Sequence, residues 1–175
     1  MKAAIFGSGR MGTAIAYAMN KMGYSLFVID KDIKILKDNI GGLGISNYQL
    51  QAVDDLETEI HRVLAHKPNV VISALPYHQT QIVANYCMDN GIRYCDLGGR
   101  VDVSQNINDH AKEKATRPIF TDLGLAPGWV NILAEHGCKK VHSQIDSVKM
   151  MVGGLPAIPK NPPLNHVGRL DKDTT

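Results

Sequence analysis

The sequence predicts an α/β domain, a doubly wound and mostly parallel sheet with helices on both faces. Three observations point there. Short β-branched runs alternate with longer amphipathic stretches along most of the chain, which is the signature of strands joined by helical crossovers. The run Asn69–Ala74 is apolar without alternation, as in a strand covered on both faces. Glycines also cluster between the first strand-like run and the first helical stretch, at Gly7, Gly9 and Gly12.

Lys2–Phe6 reads as the first strand, and Arg10–Lys21 as a helix with Ala14, Ala18 and Met22 at four-residue spacing. Ser25–Ile29 is a second strand ending at Asp30. Residues 31–39 form a short helix stopped by Gly41-Gly42, and Tyr48–Val53 is a third strand. Residues 55–66 place Leu56, Ile60, Val63 and Leu64 on one helical face. Asn69–Ala74 is followed by Pro76, then by a helix over 78–90 with Gly91 as its C-terminal cap. Ile92–Cys95 is a strand reaching Asp96. A helix over 104–115 leads through Pro118 to the strand Ile119–Thr121. Residues 124–128 form a loop, 130–138 a helix, and Val148–Val152 one more strand. The tail from Leu155 to Pro163 is proline-rich and the last residues are polar.

Ligands on such a sheet bind outside the carboxyl ends of the strands. That rule selects Gly7–Gly12, Asp30, Ala74–Pro76, Asp96–Gly99 and Asp122–Gly128. The loop Gly7-Ser8-Gly9-Arg10-Met11-Gly12 is a G-x-G-x-x-G run between a strand and a helix, the context that a Rossmann dinucleotide site requires. Gly7 permits the tight turn, Gly9 lets the backbone approach a pyrophosphate, and Gly12 lets the helix pack closely. The helix N-terminus offers its unpaired N–H groups to the phosphates. Asp30 ends the second strand, where the fingerprint places an acid on the adenosine ribose. Its carboxylate favours a free 2′-hydroxyl and hence NAD, whereas Lys31 is placed to pair with the 2′-phosphate of NADP. Arg10 reads equally as a pyrophosphate contact and as an exposed arginine. The third glycine and the long helix after it favour a dinucleotide over a methyltransferase cofactor. The Tyr-x-x-x-Lys pair of short-chain dehydrogenases occurs as Tyr17 and Lys21, inside the first helix, where it cannot serve that role.

Hydrophobic residues make up 44% of the 175 and charged residues 21%, enough apolar content for a core. Nineteen basic and 17 acidic residues give a net charge of +2, which argues against an electrostatic nucleic-acid binder. No apolar run reaches the roughly 18 residues of a membrane span, and the N-terminus enters a strand rather than a signal sequence. The expectation is a cytoplasmic protein without nucleic-acid or membrane partners. Three cysteines, Cys87, Cys95 and Cys138, form no disulfide pattern, and the histidine spacings suit no metal.

Three segments together resemble the saccharopine dehydrogenase-like family, and within it the lysine 6-dehydrogenases. They are the glycine loop, then Val70–Thr80 (VVISALPYHQT) with Tyr94–Gly99 (YCDLGG), and then Asp122–Leu133 (DLGLAPGWVNIL) with Gly153-Gly154-Leu155-Pro156 and Pro162-Pro163-Leu164. The resemblance implies NAD- or NADP-dependent oxidation or reduction at the CH–NH bond of an amino acid. It implies that Leu75 and Pro76 line the nicotinamide ribose, that Asp96, Gly98 and Gly99 lie near the nicotinamide, and that Ala126, Pro127 and Gly128 close the floor of the site. It also implies a longer protein. Residues 1–140 then form the dinucleotide-binding domain. Residues 141–175 begin a second, truncated α/β substrate and dimerisation domain, and residues 165–175 depart from the family pattern. A shortened chain of this kind is expected to bind cofactor and to turn over lysine-like substrates poorly. Homo-oligomerisation or a separately encoded second half is the expected complement.

Read from the residues alone, these positions keep two meanings. Gly98-Gly99 is a close approach to a ligand or a plain turn. The helix N-terminus after Pro127 and Gly128, leading to Asn131, binds a substrate carboxylate or simply starts a helix. Asp96 and Asp122 orient a substrate amine and relay its proton, or cap the next turn or helix. His78 is a further candidate acid or base in the first turn of a helix. An oxidoreductase of the saccharopine or lysine dehydrogenase type therefore stands beside two alternatives, a non-catalytic dinucleotide-binding module and a reductase acting on another imine.

Overall fold

A computed structural model describes residues 1–152 apart from Ser46. Six parallel strands, β1 (Lys2–Phe6), β2 (Ser25–Asp30), β3 (Tyr48–Ala52), β4 (Val70–Ser73), β5 (Arg93–Asp96) and β6 (Ile119–Phe120), form one sheet in the order β3-β2-β1-β4-β5-β6. The helices are α1 (Arg10–Lys21), α2 (Ile33–Gly41), α3 (Leu56–Leu64), α4 (Tyr77–Asp89), α5 (Val101–Lys114) and α6 (Trp129–Cys138). This is the doubly wound Rossmann arrangement that the alternating pattern predicts. The strand order reverses between β1 and β4, and there a crevice opens at the carboxyl edge.

The sheet is buried on both faces because alternate residues of each central strand feed two cores. Ala3 and Ile5 of β1 join Leu26, Val28 and Ile72 on one side, packed with Ala16, Leu36 and Ile40. Ala4 and Phe6 join Ile29, Val71 and Tyr94 on the other, packed with Ile60, Leu64, Val83, Ala84 and Ile107. Helix starts follow local chemistry. Asp32 caps α2 by accepting from Lys34 and Ile35 N–H at 2.8 and 3.2 Å, and Asp55 caps α3 through Glu57 N–H at 3.1 Å. Helix α4 ends at Asn90, and Gly91 follows in the left-handed region at φ +61°.

Helix α5 begins at Val101, three residues before the periodicity predicts. The β-branched Val101 and Val103 mask the helical signal, and packing of Val103 on the core overrides it. The strand expected at Val148–Val152 does not form, since no neighbouring strand among the described residues takes up its backbone groups. The chain divides into two compact units, one over Met1–Trp129 and one that begins at Val130.

Close packing of α1 on β1 rests on Gly12. A Cβ there would overlap the Gly7 carbonyl, which is backbone and cannot swing away. Gly12→Ala is therefore expected to cost about 1–3 kcal/mol, read as a lower urea midpoint with an unchanged slope. A loss within about 0.5 kcal/mol, as at an ordinary surface site, would show that the loop yields.

Candidate functional site

Gly7 leaves β1 at φ +93°, and a Cβ on it would sit 2.8 Å from the Ala74 carbonyl oxygen. Both facts bring the loop down onto the end of β4. Gly9 is the N-cap of α1, has no capping side chain, and faces open space where a Cβ would meet nothing within 4 Å. The first N–H groups of a twelve-residue helix thus point at a space that the chain does not fill. Beside it lies a cleft of about 390 Å³ lined by Gly7, Gly9, Asp30, Lys31, Leu75 and Pro76, together with Val53, Asp54, Leu56, His78 and Gln79. The glycine cradle, the uncapped helix and the acid at the rim fit a dinucleotide. Arg10 and Met11 are exposed on the first turn of α1.

Ser8 has a different role from its neighbours. It is fully buried, and every polar group it carries is taken by the protein. Its N–H and Oγ donate to Asp30 Oδ2 at 2.6 and 2.8 Å. Its carbonyl accepts from Thr13 Oγ1 at 2.9 Å and from Asn39 Nδ2 at 2.6 Å. Ser8 is a lock that fixes the loop, with Asp30 on one side and Asn39 of α2 on the other. The second oxygen of Asp30, Oδ1, makes only a long 3.3 Å contact with Asp32 N–H and keeps acceptor capacity for a ribose hydroxyl.

The other half of the carboxyl edge is organised by Asp96, which is buried. Its Oδ1 accepts from Gly98 N–H at 2.8 Å and Asp122 N–H at 3.0 Å, and its main-chain carbonyl accepts from Leu123 N–H at 2.8 Å. One residue therefore ties the loop after β5 to the loop after β6. Gly98 (φ +76°) and Asp122 (φ +61°) are both left-handed, and a Cβ on Gly98 would lie 3.1 Å from Asp122 Cα and 3.0 Å from Pro127 Cγ. Asp122 Oδ1 accepts from Ser104 Oγ of α5 at 2.8 Å, so Asp122 braces α5. The loop from Gly124 closes on itself through Ala126, a cis Pro127 and Gly128, and Trp129 N–H returns to the Gly124 carbonyl at 2.9 Å.

Asp96, Gly98, Gly99, Asp122 and Pro127 are thus one cluster, and His78 is not part of it. His78 lines the Asp30 cleft. Its neighbour Tyr77 faces the cluster instead, with Tyr77 Cβ 3.2 Å from where a Gly99 Cβ would be. Val53, Asp54, Leu56 and Gln79 were not selected from the sequence, although β3 ends at the same edge and the same rule covers Val53 and Asp54. Asn39 carries no local signal. Its contact spans 31 positions and exists only once α2 is packed. Among the described residues, no three or more His, Cys, Asp or Glu gather as a metal site. No helix there is long and apolar enough to cross a membrane.

The protonation of Asp96 is set by its surroundings. Burial raises its pKa above the usual 3.8, against the lowering effect of the two N–H donors and Tyr94. Tyr94 Oη lies 3.0 Å from Asp96 Oδ2 and 3.2 Å from the Thr80 carbonyl oxygen, and its one proton cannot serve both. Tyr94 Oη donates to Asp96 Oδ2, while burial favours the proton on the Asp96 carboxyl. The folded state holds this proton to higher pH than the unfolded chain. Its contribution to stability is therefore complete below the unfolded value of 3.8 and is lost as pH rises through the raised folded value. Asp96→Asn keeps both acceptor and donor roles without the titration. Urea midpoints between about pH 4 and pH 7 should lose that downward trend in Asp96→Asn, and Asp96→Ala should cost about 1–3 kcal/mol. An unchanged trend in Asp96→Asn would assign it to another group. Asn39→Ala, in turn, should weaken NADH and ADP-ribose several-fold and leave adenosine, which has no pyrophosphate, unaffected. Equal weakening of all three would show that Asn39 acts on more than the loop.

A sequence model of the saccharopine dehydrogenase NADP binding domain matches residues 3–120. Among solved structures, apo saccharopine dehydrogenase (L-Glu forming) from Saccharomyces cerevisiae superposes with a TM-score of 0.65 at 19% identity, over 81% of this chain. A Gfo/Idh/MocA family oxidoreductase from Vibrio cholerae gives 0.51 at 14% identity, over 69% of this chain and 38% of its own. These likenesses are of fold. The chain spans 31% of the length of the yeast protein. With the glycine loop, the acid at the end of β2 and two thirds of the sequence inside the matched region, the chain belongs to the saccharopine dehydrogenase NADP-binding domain family and carries a nicotinamide-dinucleotide site.

Proposed function

We propose that this chain is the dinucleotide-holding part of an oxidoreductase acting on the CH–NH bond of an amino acid, with NAD preferred over NADP. The observation that carries the reading is the juxtaposition along one sheet edge. The Gly7–Asp30–Pro76 cleft lies on one side of β4, and the Asp96–Gly98–Asp122 cluster at the end of β5 and β6 lies on the other. The cofactor, when bound, supplies hydride transfer at the carbon that bears nitrogen. The protein's own tasks are to bind, orient and hold protons. Gly9 and the N-terminus of α1 receive the pyrophosphate, and Asp30 receives the adenosine ribose through Oδ1 while Oδ2 holds the loop. Val53, Leu56 and the aliphatic part of Gln79 offer an apolar wall for the base. Leu75 and Pro76 carry the chain from this cleft toward Gly98 and Gly99, beside which the nicotinamide is accommodated.

Asp122 is better suited than Asp96 or His78 to face a substrate amine. Asp96 spends its carboxyl on two backbone N–H groups and Tyr94, and His78 belongs to the cofactor cleft. The partners in this reading are a small amino acid and the further protein surface that excludes water from the nicotinamide, supplied by a second copy or by additional sequence.

The family's description names NADP. The preference for NAD rests on the charge of Asp30 at the rim, opposed by the exposed Lys31 beside it and by the exposed Arg10 of the glycine loop. Calorimetric titration with NADH and NADPH tests it. NADH should bind more tightly. Asp30→Asn keeps an acceptor for Ser8 and removes the charge, so the preference should shrink by about tenfold, or ~1.4 kcal/mol. Tighter NADPH binding by the wild type would overturn the preference and turn attention to Lys31, and no binding of either would overturn the assignment of the cleft.

A further inference from the structure

The three residues Gly98-Gly99-Arg100 place three kinds of chemistry side by side. Gly98 packs against Asp122, an anion. Gly99 packs against Tyr77, an aromatic. Arg100, the N-cap of α5, lays its guanidinium over the Tyr77 ring at 5.1 Å from the centroid. This contact sets the guanidinium beside the aromatic ring, and unlike a lysine Arg100 presents a planar edge that can fork onto a carboxylate.

That edge already holds a carboxylate. Arg100 Nε donates to Asp102 Oδ1 at 2.8 Å, and Nη2 donates to Oδ2. This is the two-pronged geometry in which arginine recognises carboxylates. Both side chains are more than half exposed, 53% and 57%. An exposed pair of this kind is weakly held and screened by salt, so an incoming carboxylate can exchange with Asp102. Of the cations close to strand ends, Arg10 and Lys31 flank the glycine loop, whereas Arg100 directly follows the Gly98-Gly99 turn.

The geometry points to Arg100 as the anchor for the carboxylate of an amino-acid ligand, with Tyr77 supporting the guanidinium, Asp122 facing the ammonium group, and Asp102 occupying the anchor until the ligand displaces it. A zwitterion presents one positive and one negative group, and this stretch presents the complement of both. The inference rests on the amino-acid reading above and deepens it by naming the residue that reads the carboxylate.

The test is calorimetric titration of the NADH-saturated full chain with L-lysine and with cadaverine, the same diamine without the carboxylate. Arg100→Ala should weaken L-lysine by about tenfold and leave cadaverine and NADH unchanged. Asp102→Asn removes the competing charge and should tighten L-lysine a few-fold, a sign that a merely structural role in starting α5 does not produce. Arg100→Lys should recover part of the loss and not all of it. L-lysine binding that Arg100→Ala leaves unchanged overturns the anchor while the amino-acid reading stands. Weakening of L-lysine by Asp102→Asn overturns the exchange. If the NADH-loaded chain binds neither probe, both the anchor and the amino-acid reading fall.

Discussion

Two carboxyl groups, each on the last residue of a strand, hold the working edge of this domain together by accepting backbone N–H groups from loops. Asp30 ends β2 and takes the N–H of Ser8. Asp96 ends β5 and takes those of Gly98 and Asp122. A parallel sheet delivers its strand ends to one edge, but it does not fix the loops that leave them. Those loops carry glycines and left-handed residues, which are costly to order. A charged or strongly polar acceptor aimed at their N–H groups fixes them where hydrophobic packing cannot.

The two acids act under different physical conditions. Asp30 sits at the rim of the cleft, half-buried, with one oxygen tied to Ser8 and the other loosely engaged. It braces the loop and, in the proposed reading, meets the adenosine ribose, so a change there touches loop geometry and cofactor recognition at once. Asp96 is nearly sealed, and burial pushes its pKa upward. Its Oδ2 accepts from Tyr94 Oη, which also lies against the Thr80 carbonyl oxygen. A group so committed positions other residues and is poorly placed to exchange protons with a substrate, although it ends a strand at the ligand edge as an acid–base residue would.

The sheet and its crossovers were legible because their signals are local and repeated. Alternation in β1 and β2, the apolar run of β4 and the glycine loop each act within a few residues. The division of β1 into Ala3 and Ile5 for one core, and Ala4 and Phe6 for the other, is dictated by the period of two. The same local logic failed at α5, where β-branched Val101 and Val103 disguise a helix, and at Val148–Val152, where β propensity has no neighbouring strand to satisfy it. In the site, the strand-end rule found Asp30, Asp96 and Asp122 but not their duties. That Ser8 is locked by Asn39, or that Asp122 braces Ser104 of α5, depends on contacts across 31 and 18 positions. No spacing in the sequence encodes these.

The charge layout along the edge gives these contacts a common direction. At the glycine loop, the uncapped N-terminus of α1 and the exposed Arg10 and Lys31 favour an anionic ligand, and Asp30 is proposed to limit how much negative charge the ribose side accepts. Past β4 the order changes. Asp96 is committed to its turn, and Asp122, the Tyr77 ring and Arg100 are the polar features proposed to meet a ligand. A uniformly charged ligand gains from only one of these two halves. In the proposed reading, a dinucleotide laid across β1 and β4 has its phosphates at the first, and a zwitterionic amino acid has both of its charges matched at the second. Because Asp96 fixes the turn on which Gly98 and Gly99 lie, and that turn leads directly into Arg100, the second half is ordered by the same device as the first, a strand-end carboxyl group closing a glycine turn.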